Sequence, residues 1–212
     1  NACVSNRTAA GGTNSMQILS SELFPTLVWT TVFDDHAALK AHLMDLARRF
    51  REKDPAGVQN TNMLGWQSPN VIQNMEEFRP ITDRILAVCR QIAASQQLRP
   101  ECRFDLQAWV NVSPPGASNA VHFHPNSHLS GVYYVQTAEN CGEIFFKDPR
   151  TPGLMYRPPI ARETAFTATE VALGAEDGRM YVFPSWLEHG VRPNRSSADR
   201  VGISFNVRIS DP

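Results

Sequence analysis

An excess of charge of either sign is the first thing missing. Against 20 Lys and Arg the chain sets 21 Asp and Glu, a formal net charge of −1 over 212 residues. That balance provides no electrostatic footprint for nucleic acid or an anionic membrane surface. No apolar run approaches the roughly 18 residues that a membrane span needs. Cysteine is sparse, and Cys3, Cys89, Cys102 and Cys141 lack C-x-x-C spacing. A zinc knot or a small disulfide framework is therefore not indicated. Internal repeats are absent, and low complexity is confined to the polar, Gly/Asn/Ser-rich head from Asn1 to Ser15. The head has no hydrophobic region of the signal-peptide kind. It reads as a disordered extension or an expression remnant (residues 1–15) ahead of one domain (residues 16–212), and a cytoplasmic setting is expected.

What is present is an ordinary globular composition, 42% apolar and 19% charged, with length enough to bury a sizeable core. Gln17 to Leu23 and Leu27 to Phe33 have β-type composition, interrupted by Pro25. Asp34 or Asp35 offers an N-cap for a helix whose Leu39, Leu43, Leu46 and Phe50 recur at helical spacing. Asp54 to Asn74 reads as a long polar loop, in which Trp66 either lines an entrance or plugs the surface. A second helix is expected from Met75 to Gln97, with Pro80 in its first turns and Cys89 as a core thiol. Beyond Phe104 the chain turns to short strands: 104–112, 142–147, 164–171, 180–183 and 200–209. Arg150 to Ile160 is a Pro-rich excursion among them. Helices first and strands afterwards predict an α+β, mainly β fold, with the sheet rolled into a sandwich or jelly roll.

Candidate chemistry concentrates in Ala120-Val-His-Phe-His-Pro-Asn-Ser-His128. Along an extended segment His122 and His124 project from one side, and two imidazoles so placed can close on one divalent metal. His189, in Phe183-Pro-Ser-Trp-Leu-Glu-His189, offers a third ligand. Whether His128 joins them is open, because alternation need not survive Pro125. Glu143 and Asp148 compete as a carboxylate ligand. His36 and His42 read as ordinary helix-surface groups. Arg200, eleven residues after His189, is placed to grip a carboxylate bidentately, with Ser204 and Tyr134 as hydroxyl donors to the same group. Asn111, Asn126 and Asn206 are candidate pocket amides, or turn residues bonded to their own backbone.

These residues carry a resemblance. Leu23-Phe-Pro25, Gly65-Trp-Gln-Ser68, His122-Phe-His-Pro-Asn126, Leu129-Ser-Gly-Val-Tyr-Tyr134, Phe146-Lys-Asp-Pro149, Phe183-Pro-Ser-Trp-Leu187 with His189, and Arg200 to Asn206 resemble a bacterial and phage subgroup of the iron- and 2-oxoglutarate-dependent oxygenases. The resemblance implies a double-stranded β-helix (cupin-like jelly roll) with N-terminal helices packed on the sheet. It also implies Fe(II), 2-oxoglutarate and O₂, with oxidation of a C–H bond and release of succinate and CO₂. By position, His122 and His189 are the metal histidines, and His124 stands where the family pattern has a carboxylate. Arg200 binds the far carboxylate of 2-oxoglutarate. The histidine at 124 keeps two further readings open. One is a three-histidine metalloenzyme, a dioxygenase or isomerase, that does not use 2-oxoglutarate. The other is a non-catalytic small-molecule binding module. The substrate can be a small molecule or a protein side chain, with no nucleic acid or membrane partner, and a homodimer stays open.

Overall fold

The computed structural model describes residues 6–8, 19–150, 155 and 157–212. Of the expected head, residues 1–15, only 6–8 are described: β1 (Asn6–Thr8) pairs antiparallel with β2 (Leu19–Ser21). The rest of that segment, and residues 151–154 and 156 of the Pro-rich stretch 150–160, lie outside the described residues.

Two antiparallel sheets face each other. The larger has six strands in the order β3 (Trp29–Val32), β11 (Arg179–Pro184), β8 (Leu129–Gln136), β13 (Arg200–Ser210), β6 (Arg103–Ser113) and β5 (Trp66–Gln67). The smaller has five, in the order β10 (Glu170–Leu173), β9 (Ile144–Lys147), β12 (His189–Val191), β7 (Ser118–His122) and β4 (Asn62–Met63). This is the double-stranded β-helix that the family resemblance implied. Apart from β5–β6 and β9–β10, the neighbouring strands are non-consecutive, so the sheets are held mainly by pairings distant in sequence.

Two helices cover the outside of the six-stranded sheet. Helix α1 (His36–Lys53) buries Leu39, Leu43, Leu46 and Ala47. Helix α2 (Arg79–Ser95) buries Ile81, Ile85, Cys89 and Ile92, with Pro80 in its first turn, where a missing N–H costs nothing. These side chains share one core with Val110, Tyr133, Val182, Ile203 and Phe205 of the sheet. Burying each large apolar side chain contributes roughly 1.5–3 kcal/mol before chain entropy is counted. Cys89 sits in that core with its thiol pKa pushed up to about 12 by burial.

Three local expectations need correction. Asp35 occupies the N-cap of α1 but makes no side-chain cap bond; its carboxylate instead engages Arg84 of α2. The helix expected from Met75 begins at Arg79, after 3₁₀ turns at Ile72–Asn74 and Glu76–Phe78. The strand expected at 164–171 is Glu170–Leu173, because Thr164 closes a turn by accepting the backbone N–H groups of Thr167 and Ala168.

Strand β13 shows how the sheet positions the site. Side chains alternate along an extended strand. Val201, Ile203, Phe205 and Val207 face the helices, whereas Arg200, Gly202, Ser204 and Asn206 line a cavity between the sheets. A second apolar cluster, including Tyr134, Phe146, Tyr181, Phe183 and Leu187, fills part of the space between the sheets. Among the described residues no helix is long and apolar enough to cross a membrane.

Candidate metal centre and anion pocket

Between the sheets lies a cavity of about 250 Å³. His122, His124 and His189 meet in it, each offering a ring nitrogen, with these atoms all within 4.8 Å of one another. His122 ends β7 and pairs across the sheet with His189 at the start of β12, which sets their ring centroids 4.4 Å apart. His124 lies beyond the end of β7. It is held by its own backbone N–H, which donates to the Ser185 carbonyl at 2.9 Å. The turn that follows β11 at Ser185 and the segment after His122 are thereby locked together.

Each metal-facing imidazole uses Nδ1 elsewhere. His122 Nδ1 lies 2.7 Å from the Ala120 carbonyl and His189 Nδ1 lies 2.8 Å from the Leu187 carbonyl. A carbonyl only accepts, so in both rings Nδ1 carries the proton and Nε2 keeps the lone pair a metal requires. His124 Nδ1 faces the Asn206 amide at 3.3 Å. Burial keeps all three rings neutral. It lowers the His122 pKa against an opposing carbonyl bond, takes His124 down to about 4 with help from His122, and takes His189 down to about 3. Neutral imidazole is the ligating form.

Arg200 reaches the same cavity from β13 and is 4% exposed. Its Nη1 donates to the Cys141 and Gly142 carbonyls. Gly142 has φ +91°, and a Cβ there would run into the Arg192 and Pro193 backbone carbonyls as well as Arg200 Nη1, so only glycine suits this turn beneath the guanidinium. Among the described residues Arg200 forms no ion pair with Asp199 or Glu188; Asp199 lies 3.6 Å from Arg51 instead. Burial pulls the guanidinium pKa below its ordinary value.

The Tyr134 hydroxyl, also cavity-lining, is buried without any hydrogen-bond partner. Burial raises its pKa, against the pull of Arg200. An orphaned hydroxyl costs about 1–3 kcal/mol. Beside a buried cation with unspent donors, it is explained by an anion that the two would share. Ser204 accepts from Asn111 Nδ2 at 2.8 Å and keeps its own hydroxyl proton for such a ligand. The donor set thus fits a divalent metal at one end and a carboxylate at the other.

Other candidates fall outside. His128 is exposed, its Nδ1 accepting the Ile209 N–H at 3.0 Å. Asp148 is held bidentately by Arg150, and Glu143 faces Arg192; neither carboxylate joins the histidines among the described residues. Asn126 sits in a turn with φ +64°. His42 lies 2.7 Å from the Glu77 carbonyl, and His36 packs beside Asp177. Trp66 is buried, its indole N–H donating to the Asp54 carbonyl at 2.8 Å, so it plugs the loop. Its neighbours Asn60, Thr61, Gln67 and Asn70 supply cavity wall instead. Their place could have been suspected only from how amide-rich that loop is.

A two-sheet antiparallel barrel with a three-histidine cluster and a buried arginine on its last strand makes a jelly-roll fold with a candidate metal site between its sheets. The sequence profile of the family described as "Putative 2OG-Fe(II) oxygenase" matches residues 107–206, from within β6 almost to the end of β13. The segment that builds the site therefore belongs to the 2OG-Fe(II) oxygenase family, oxidoreductases that use Fe(II) and 2-oxoglutarate. Among solved structures, a Pseudomonas putida prolyl-4-hydroxylase aligns with a TM-score of 0.58 at 18% identity, covering 86% of this chain and 92% of that one. The non-heme alpha ketoglutarate dependent carbocyclase SnoK from nogalamycin biosynthesis aligns at 0.63 and 11% identity, covering 86% and 79%. The epimerase SnoN, solved with Fe3+, alpha ketoglutarate and nogalamycin RO, aligns at 0.59 and 14% identity, covering 86% and 79%. At these identities the likeness is one of fold. No curated protein sequence matches the chain.

Proposed function

We propose that the protein is a non-haem Fe(II)/2-oxoglutarate-dependent dioxygenase that oxidises a C–H bond of its substrate. The observation that carries this reading is one cavity holding both donor sets: three converging neutral imidazoles, and a buried Arg200 beside the partnerless Tyr134 hydroxyl. His122, His124 and His189 would hold the metal through Nε2, leaving the remaining coordination positions for small ligands. Arg200 would bind the distal carboxylate of 2-oxoglutarate, with Tyr134 and Ser204 donating to the same group. When bound, Fe(II) and 2-oxoglutarate supply O₂ activation coupled to decarboxylation, giving succinate, CO₂ and an oxidised substrate.

The wall also bears on the substrate. Arg200 is the one side chain other than histidine that can carry charge among the described residues lining the cavity, and none is acidic. Asn60, Thr61, Gln67, Asn70 and Asn119 are neutral hydrogen-bonding groups, and Trp109 and Phe123 supply aromatic surface. These support an uncharged polar substrate, whether a small molecule or a protein side chain. A reducing, cytoplasmic compartment is consistent with unpaired Cys89, Cys102 and Cys141.

A second reading follows from His124 in place of a carboxylate: a three-histidine metalloenzyme in which Arg200 grips the carboxylate of the substrate itself. Anaerobic titration of 2-oxoglutarate into Fe(II)-loaded protein separates the two. A visible metal-to-ligand charge-transfer band that is lost in His122→Ala is expected. Iron bound with no band would move the three-histidine alternative ahead, and a protein that takes up no metal would overturn both.

A further inference from the structure

Three residues of the motif segments remain without a role in the site as described: Ser130 of Leu129-Ser-Gly-Val-Tyr-Tyr134, Ser185 of Phe183-Pro-Ser-Trp-Leu187, and Asn206 at the end of the Arg200 to Asn206 run. They form a single hydrogen-bonded line behind His124. Asn206 and Ser130 are cross-strand partners on β13 and β8, so their side chains stand on the same face. Ser130 Oγ lies 2.7 Å from Asn206 Oδ1 and 2.8 Å from Ser185 Oγ. Ser130 and Ser185 are both completely buried. The far end of the Asn206 amide meets His124 Nδ1.

The geometry points to Asn206, backed by Ser130 and Ser185, as the positioning residue that sets the tautomer of His124 for metal binding. This rests on His124 being a ligand. His122 and His189 have their tautomers fixed by backbone carbonyls, which can only accept. His124 has no such carbonyl and depends on an amide, which can do either. As placed, Asn206 Nδ2 faces Nδ1 and Oδ1 accepts from Ser130. That arrangement suits an imidazole protonated on Nε2, whose lone pair points away from the cluster. Reversing the amide by a half-turn keeps both contacts with the roles exchanged. Oδ1 then accepts from His124 Nδ1–H, which frees Nε2 for the metal, while Nδ2 donates to Ser130 Oγ. Ser130 follows because a hydroxyl rotates, and either serine can be the donor in the Ser130–Ser185 bond. The line of hydroxyls therefore keeps a partner for every group in both orientations, the reversed one shifting the last hydroxyl proton onto Ser185, and metal entry selects one.

The test is Zn(II) affinity by chelator competition together with ¹⁵N NMR of the histidine side chains, on metal-free and Zn(II)-loaded protein. Asn206→Leu should weaken Zn(II) binding by about 10- to 100-fold, the usual range for loss of a ligand's hydrogen-bond partner. It should also leave His124 in mixed tautomers. Asn206→Asp keeps an acceptor, so affinity should return to within a few-fold of wild type with His124 protonated on Nδ1. Ser130→Ala should cost less than Asn206→Leu, because the amide survives. Should Asn206→Leu fail to fold, Asn206→Asp and Ser130→Ala carry the same readouts. Wild-type affinity with an Nδ1-protonated His124 in Asn206→Leu would overturn the inference, and so would an Asn206→Asp that binds Zn(II) more than about 10-fold more weakly than wild type or keeps His124 protonated on Nε2. His124→Ala distinguishes the two levels. If that variant binds Zn(II) as wild type does, His124 is not a ligand and the site reading itself fails. If it loses affinity while the Asn206 variants do not, only the relay is wrong.

Discussion

The two ends of the cavity are built on opposite terms. At the histidine end each ring has an Nδ1 partner, and burial holds the imidazoles neutral. At the arginine end a buried cation spends only Nη1 on protein carbonyls, and the Tyr134 hydroxyl has no partner at all. Lone pairs for a metal can be prepared in advance, because a neutral buried ring that is hydrogen-bonded costs little. Donors for an anion cannot be satisfied in advance without blocking the anion. The first end is therefore satisfied before ligands arrive, with only the His124 tautomer left to be chosen, and the second carries a cost that a bound carboxylate would relieve.

That contrast can be broken most severely at the histidine end. His189→Ala removes a buried imidazole proposed as a ligand and should lower metal affinity by at least about 100-fold, measured by chelator competition, since outer-shell losses alone cost 10- to 100-fold. Arg200→Met should leave metal content unchanged and raise the 2-oxoglutarate concentration for half-saturation by roughly 30-fold or more, as expected for truncating one partner of a buried charge pair. In the absence of 2-oxoglutarate the same variant should melt no lower than wild type, because replacing an uncompensated buried charge with a hydrophobe is neutral or stabilising. A lower melting temperature would mean that Arg200 is chiefly structural. Tyr134→Phe should show the same sign reversal on a smaller scale. The ligand-free fold should gain up to about 1 kcal/mol in urea titration, while 2-oxoglutarate binding weakens by about 5- to 10-fold.

A separate effect is one of pH on the metal-free protein. His124 and His189 fall to about 4 and about 3 in the fold, against an ordinary value near 6.5. The unfolded chain therefore takes up protons first as pH drops. Stability is fully present above about pH 6.5 and declines from there towards pH 4. The urea midpoint should follow that decline, and replacing all three histidines with glutamine should flatten it.

Much of this arrangement was legible in the chain. The period-2 run from Val201 to Val207 showed a strand with one apolar face, and the helical stripe at Leu39, Leu43 and Leu46 showed what covers it. His122, His124, His189 and Arg200 were legible as candidates because their residue types and spacing suit a metal and a carboxylate. Their distances were not, since His122 meets His189 only through the β7–β12 pairing across 67 positions. The same limit hid the amide wall. Asn60, Thr61 and Gln67 reach the cavity because β4 and β5 join different sheets, and nothing local marks a two-residue strand. Asp35 misled for another reason. A capping aspartate and an ion-pairing one look alike until Arg84 is known to lie opposite.

Strand β13 carries the helix-facing core on one side and Arg200, Ser204 and Asn206 on the other. A slip of one residue against β6 or β8 would exchange those faces. Arg200 would then be driven in among Leu43, Ile81 and Ile85, and Ile203 and Phe205 would be turned into the cavity. The apolar packing that fastens the helices thus also proofreads the alignment of the clamp, and a chain that has closed its core has aimed its arginine in the same step.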